Sequence, residues 1–111
     1  MMMGLSASQA RLNSLTAEKT DLELTAQQIN QERLRLANET SKLFNLNSNL
    51  DPNGSESLKL NLKINSIQSL DKSMLIQQER VNSYYKAVDA ELSSLRKLID
   101  KNIDGIFKTF A

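Results

Sequence analysis

The chain has 111 residues, which is enough for one modest domain, and 40% of them are apolar while only 5% are aromatic. It contains no His, Cys or Trp, which excludes histidine bases, thiolate nucleophiles, disulfides and thiolate zinc sites. Lys and Arg number 14 against 13 Asp and Glu, with both signs scattered along the chain, whereas a nucleic-acid surface needs a basic stripe. We therefore expect no nucleic-acid partner, no metal and no cofactor.

The first predicted element is a long helix over residues 6–50. Ser6 and Gln9 form a capping box at its start. Neither Gly nor Pro interrupts the segment that follows, and apolar residues recur in it at intervals of seven: Leu15, Leu22, Ile29, Leu36, Leu43 and Leu50. A repeat of seven over this length keeps one seam of a helix against a partner helix, as in coiled coils.

A turn is predicted at residues 51–55, where the only proline of the chain, Pro52, is followed by Gly54. A second helix is predicted over residues 56–107. Its seam residues alternate at spacings of three and four along most of their run: Ile67, Met74, Val81, Tyr85, Val88, Leu92, Leu95 and Ile99. Two such helices predict an all-α fold, a long antiparallel helical hairpin of the coiled-coil type, forming a single domain over residues 1–111.

The segments beside the turn also support an alternative. Leu58, Leu60, Leu62 and Ile64 alternate with polar residues, and a similar alternation includes Phe44 and Leu46 before the turn. Such a period of two is typical of strands, so a short β-hairpin tip is an open alternative to two uninterrupted helices.

Polar residues interrupt the predicted seam, and apolar residues lie outside it. The interruptions are Arg33, Thr40, Asp71, Gln78 and Asn102, which are costly in a dry seam and are expected to set the register of packing. Outside the seam, Leu24, Leu34 and Phe44 widen the apolar face of the first helix beyond what one partner would cover. This width predicts association with further helices.

The end of the second helix is expected to extend past the start of the first. If helices joined near residue 53 pair at positions whose numbers add up to about 106, residues 101–111 have no partner within the hairpin. Four apolar residues of this tail complete the predicted oligomer interface: Ile103, Ile106, Phe107 and Phe110. The alternative is that the tail folds back after Gly105 and covers the end of the hairpin.

The residues that could take part in catalysis or base stacking are better interpreted as structural. The carboxylate pairs Asp21 with Glu23 and Asp100 with Asp104 lie on polar helix faces, where solvated charges are the better interpretation than a catalytic dyad. Tyr84 and Tyr85 favour core or interface filling over a base-stacking platform. We therefore predict that the chain is not an enzyme and has no catalytic residues.

The opening residues 4–12, GLSASQARL, resemble a group of short bacterial proteins of uncharacterised function that open with Met, Gly, an apolar residue and a Ser-Gln-Ala-Arg run. The resemblance continues at separate positions up to residue 37: Ser14 to Ala17, Asp21, Glu23, Gln27, Gln28, Ile29, Leu36 and Ala37. Residues 99–110 are similar to the end of the shorter members. The resemblance implies no activity, and Glu18 stands where such relatives often carry Arg. A looser similarity, in composition and helix pairing, relates the chain to the axial and needle subunits of flagellar and type III secretion systems.

These patterns predict a structural protein that self-assembles through helix packing into a bundle, tube or filament. The alternative is a helical adaptor, chaperone or secreted effector that binds a different helical protein. Without a signal-like start or a run long enough to span a membrane, we expect synthesis in the cytoplasm, with any export by a leaderless route. Attachment of the tail to a membrane surface is less favoured, because Asp100 and Asp104 offset its lysines.

Overall fold

In the computed structural model, the chain forms two α-helices, α1 over Leu5–Ser48 and α2 over Ser55–Phe110. The structure describes the backbone of residues 4–110 and the side chains of residues 4–106. No strand occurs within this range. The predicted all-α antiparallel helical hairpin is therefore confirmed, with helices of 44 and 56 residues.

The chain divides into two compact units. The terminal unit comprises the described parts of Met1–Thr25 and Val81–Ala111, and the turn unit comprises Ala26–Arg80. Each unit contains a segment of α1 and a segment of α2 and has its own apolar cluster. The organisation as a single domain stays a prediction.

In the terminal unit, the two helices pack through side chains spaced by three and four residues. Leu15 and Leu92 are fully buried at the centre of the cluster, which also contains Val88, Leu95 and Ile99. Arg11 contacts Glu91, and Glu23, later in α1, contacts Tyr85, earlier in α2. This reversal of order defines antiparallel pairing.

In the turn unit, the same spacing produces a second cluster. Leu36 and Leu43 of α1 pack with Ile64 and Ile67 of α2, and Leu60 and Met74 pack partly buried against them. The order of contacts is again reversed, since Arg33 bonds Asp71 while Asn47 bonds Asn61. Burial of these branched side chains is the main source of stability that a helix pair has.

The turn between the helices is closed by local hydrogen bonds. The carboxylate of Asp51 accepts from the backbone N–H of Asn53 at 3.1 Å, as in an Asx turn, and the Asp51 carbonyl accepts from the N–H of Gly54 at 3.0 Å. A Cβ at Gly54 would lie 3.2 Å from that carbonyl oxygen, so the close approach favours glycine here. The chain reverses with Pro52 in the middle of this bonded segment, where a proline cannot continue a helix.

The strand-like alternation beside the turn belongs to helices. Helical geometry turns Ser57, Leu60, Ile64 and Ile67 inward by alternating steps of three and four. Leu58 and Leu62, which the same alternation contains, are left 62% and 63% exposed. The predicted alternative of a β-hairpin tip is therefore wrong for the described residues. Burial of apolar side chains in the seam favours the helix more strongly than the local alternation favours a strand.

Two leucines of α1 separated by one residue provide a matched stability test. Leu36 is 2% exposed and Leu34 is 64% exposed. We expect Leu36→Ala to lower the free energy of unfolding by about 2 to 5 kcal/mol, because it leaves a cavity in the seam. Leu34→Ala should change it by less than about 0.5 kcal/mol. Urea unfolding followed by circular dichroism at low protein concentration measures both, and equal losses would contradict the assigned seam.

Candidate functional site

The carboxylates considered as chemical groups lie on open surfaces. Asp21, Asp100 and Asp104 are exposed, and the Glu23 carboxylate accepts a hydrogen bond from the Tyr85 hydroxyl at 3.2 Å. Among the described residues, no cluster of three or more acidic side chains is placed to hold a metal ion. Neither described helix contains a stretch apolar enough to span a membrane.

The residues assigned to the seam are buried or half-buried, and the apolar clusters of the two units contain most of them. Leu22, Met74, Val81 and Tyr85 are half-buried. The remaining ones are buried: Leu15, Ile29, Leu36, Leu43, Ile67, Val88, Leu92, Leu95 and Ile99. Together they leave the outward faces of both helices available for other contacts.

The residues assigned to the oligomer interface are exposed where the structure describes them. Leu24, Leu34 and Phe44 are at least half-exposed on α1, and Ile103 and Ile106 are more than a third exposed on α2. The side chains of Phe107 and Phe110 lie outside the described residues. The backbone of α2 continues as a helix through Gly105 to Phe110, so the chain does not fold back at that glycine.

Sequence reasoning missed a further set of exposed apolar side chains: Leu46, Leu58, Leu62, Leu70, Leu75 and Ile76. All of them belong to the turn unit. Tyr84, for which core or interface filling was predicted, is 64% exposed. The heptad phase contained the signal, since positions that fall outside the alternation of three and four on α2 must face away from α1. Apolar exposure is thus concentrated in the turn unit.

Hydrogen bonds near the turn bring the segments carrying several of these residues side by side. Ser57 is buried and its hydroxyl donates to the Asn47 side-chain carbonyl at 2.6 Å, while the Asn47 amide donates to Asn61 at 2.9 Å. On the surface of this end of the unit lies an open depression of about 370 Å³. It is lined by Leu46, Leu50, Glu56, Lys59 and Leu60.

A polar layer crosses the seam of the turn unit. Arg33 donates through Nε to Asp71 at 2.9 Å and through a terminal nitrogen to Gln78 at 2.8 Å, and Gln78 donates to Asn30 at 2.7 Å. The hydrogen bond with Asp71 raises the pKa of Arg33, so the guanidinium stays charged. The layer is half-buried and its hydrogen bonds are directional, which ties α1 to one alignment on α2.

A second polar group lies in the terminal unit around Tyr85. Lys19 donates to the Asp89 carboxylate at 2.8 Å and lies 5.5 Å from the centre of the Tyr85 ring, within the range of a cation–π contact. The hydrogen bond with Asp89 is the main cause that raises the pKa of Lys19. The side chains of Lys19 and Tyr85 therefore pack together beside the seam, with their polar ends at the surface.

The described arrangement consists of paired helices with exposed surfaces, and the depression beside the turn is open to solvent. Comparison of the chain with models of protein families, with curated proteins and with solved structures finds no match. An antiparallel helical hairpin with this pattern of burial fits a structural or coiled-coil role.

The polar layer supplies a test of register. The double variant Arg33→Leu with Asp71→Leu replaces the ion pair by two leucines at the same seam positions. We expect equal or higher thermal stability, because partly buried charges no longer have to be removed from water. We also expect several oligomeric species where the parent chain has a narrower distribution, because the directional bonds are lost. Native mass spectrometry measures the species and circular dichroism the melting temperature.

The matched control is Arg35→Gln, which removes an exposed arginine paired with Glu32 and Glu39 on the same helix and adds no apolar side chain. It should leave the distribution of species unchanged, since both ion pairs lie within α1. A double variant with the parent's distribution of species would contradict a role of the layer in alignment.

Proposed function

We propose that this chain is a non-enzymatic structural protein that self-assembles through helix–helix packing into a bundle, tube or filament. The supporting observation is the surface that each unit leaves uncovered: its two helices bury one seam, and the apolar side chains outside the seam stay exposed. A stable interface needs roughly 800 Å² of surface from each partner.

The kind of surface also supports association. Twelve large apolar side chains of the described residues are exposed, from Leu24 in α1 to Ile106 in α2. Apolar side chains that the fold leaves in water favour contacts that cover them. The polar layer around Arg33 and Asp71 ties α1 to one alignment on α2 within each chain. Every copy then presents the same exposed side chains to its neighbours, which supports an aligned assembly over a loose aggregate.

The proposed partner is the chain itself, without nucleic acid or cofactor. Charges of both signs alternate along the helices, and a scattered pattern of this kind suits neither a phosphate backbone nor an anionic membrane. The absence of His and Cys from the sequence and the exposed positions of the paired carboxylates support a non-enzymatic role. The similarity in composition to axial and needle subunits is in keeping with an assembling protein.

The experiment is the mass of the chain in solution as a function of concentration, measured by sedimentation equilibrium. We expect the mass to rise above that of one chain. The double variant Ile103→Ser with Ile106→Ser should weaken the association and keep the helical content, since both side chains are exposed on α2.

The matched control is Ile99→Ser, one helical turn earlier on α2, where the side chain is buried against the terminal cluster. It should lose helical content, because a polar group would then lie in the seam. A parent chain that stays monomeric at every concentration would contradict self-assembly and leave the adaptor alternative. A tail variant that associates like the parent would contradict the role of the tail.

A further inference from the structure

The depression at the turn end of the turn unit has an apolar floor. Its lining residues Leu46, Leu50 and Leu60 come from both sides of the turn, and Glu56 and Lys59 complete it. We call these five residues the turn patch. Leu46 is 58% exposed, whereas Leu50 and Leu60 are half-buried, so an exposed leucine borders the depression. A surface that contains both an exposed apolar side chain and a depression can fit a second copy of itself.

The charges of the turn patch are also complementary to those of a second copy. Glu56 and Lys59 are exposed, and within the described part of the chain neither takes part in an ion pair. A two-fold axis brings the same surface of two copies together in opposite directions, so an acid and a base on one surface can each meet the opposite charge on the other. The patch is therefore complementary to itself in sign.

We propose that the turn patch is a self-association site, occupied by the turn patch of a second copy in a two-fold contact. In this contact Leu46 of each chain enters the depression of the other beside Leu50 and Leu60, and Glu56 of each chain meets Lys59 of the other. The inference rests on the proposed self-assembly and names where one of its interfaces lies. An anionic lipid surface is the less suitable occupant, because Glu56 offsets the charge of Lys59 at the same site.

The first test compares two leucines of the turn unit in the full-length chain. Leu46→Ser should weaken association by about tenfold or more, as measured by sedimentation equilibrium, because it removes the exposed apolar side chain. Leu58→Ser is the matched control: Leu58 is about as exposed, at 62%, and does not line the depression. It should weaken association clearly less than Leu46→Ser does, because Leu58 lies outside the proposed contact.

The second test exchanges charges. Glu56→Lys and Lys59→Glu should each weaken association, since each places like charges opposite one another across the two-fold axis, and the double variant should recover it. The salt dependence of the single variants should be opposite to that of the parent. Circular dichroism checks that helical content is retained, and Lys59→Glu alone remains informative if the change at Glu56 disturbs the first turn of α2.

The outcomes separate this inference from the proposed function. A parent chain that stays monomeric overturns both. A parent chain that associates, while Leu46→Ser and the charge variants associate equally well, overturns the turn patch and retains self-assembly through other surfaces. Binding of the parent to phosphatidylserine vesicles that Leu46→Ser abolishes, with self-association unchanged, identifies a membrane surface as the occupant and overturns the two-fold contact.

Discussion

Burial of one apolar seam between two antiparallel helices is the interaction on which the rest of this structure depends. An isolated two-helix hairpin has no other core, and helix propensity alone stabilises long helices only marginally in water. In the terminal unit the seam is centred on Leu15 and Leu92, and in the turn unit it is centred on Leu36 and Ile64. Each residue of the seam can contact only the facing helix, so the other faces of both helices stay exposed.

That constraint links the fold to the proposed function. A two-helix unit cannot bury more than one face of each helix, so apolar residues outside the seam are covered only by further molecules. Their concentration in the turn unit, from Leu34 to Ile76, is a specific feature of this chain beyond the general property of a hairpin. The polar layer at Arg33 in the same unit favours one alignment of α1 on α2, so the exposed side chains of this unit keep one arrangement.

The helices and the hairpin could be predicted from the sequence because the seam repeats with a helical period through both of them. The turn could be predicted from Pro52 and Gly54, whose backbone requirements are local. The surface near the turn could not be predicted as well, because Leu58 and Leu62 alternate with polar residues as in a strand, so the strand period competed with the helical period there. Their exposure follows only once Ile64 and Ile67 are fixed in the seam.

The polar layer was likewise only half predictable. Arg33, Asp71 and Gln78 stand at seam positions, so their interruption of the repeat is visible in the sequence. Asn30 lies beside the seam, and its hydrogen bond with Gln78 depends on how α1 aligns with α2. The spacing of residues along one helix cannot predict that alignment. The same reason applies to Lys19, whose partners Asp89 and Tyr85 come from the opposite helix.

The most direct test of the seam is a distance measured within one chain. The sequence has no native cysteine, so Arg11→Cys with Glu91→Cys allows two spin labels to be placed at residues that contact each other at 2.8 Å in the terminal unit. Electron paramagnetic resonance should give one narrow, short distance between the two labels. This distance should persist when the labelled chain is diluted with excess unlabelled chain. A short distance that disappears on dilution would show that the helices pair between chains and would contradict the hairpin.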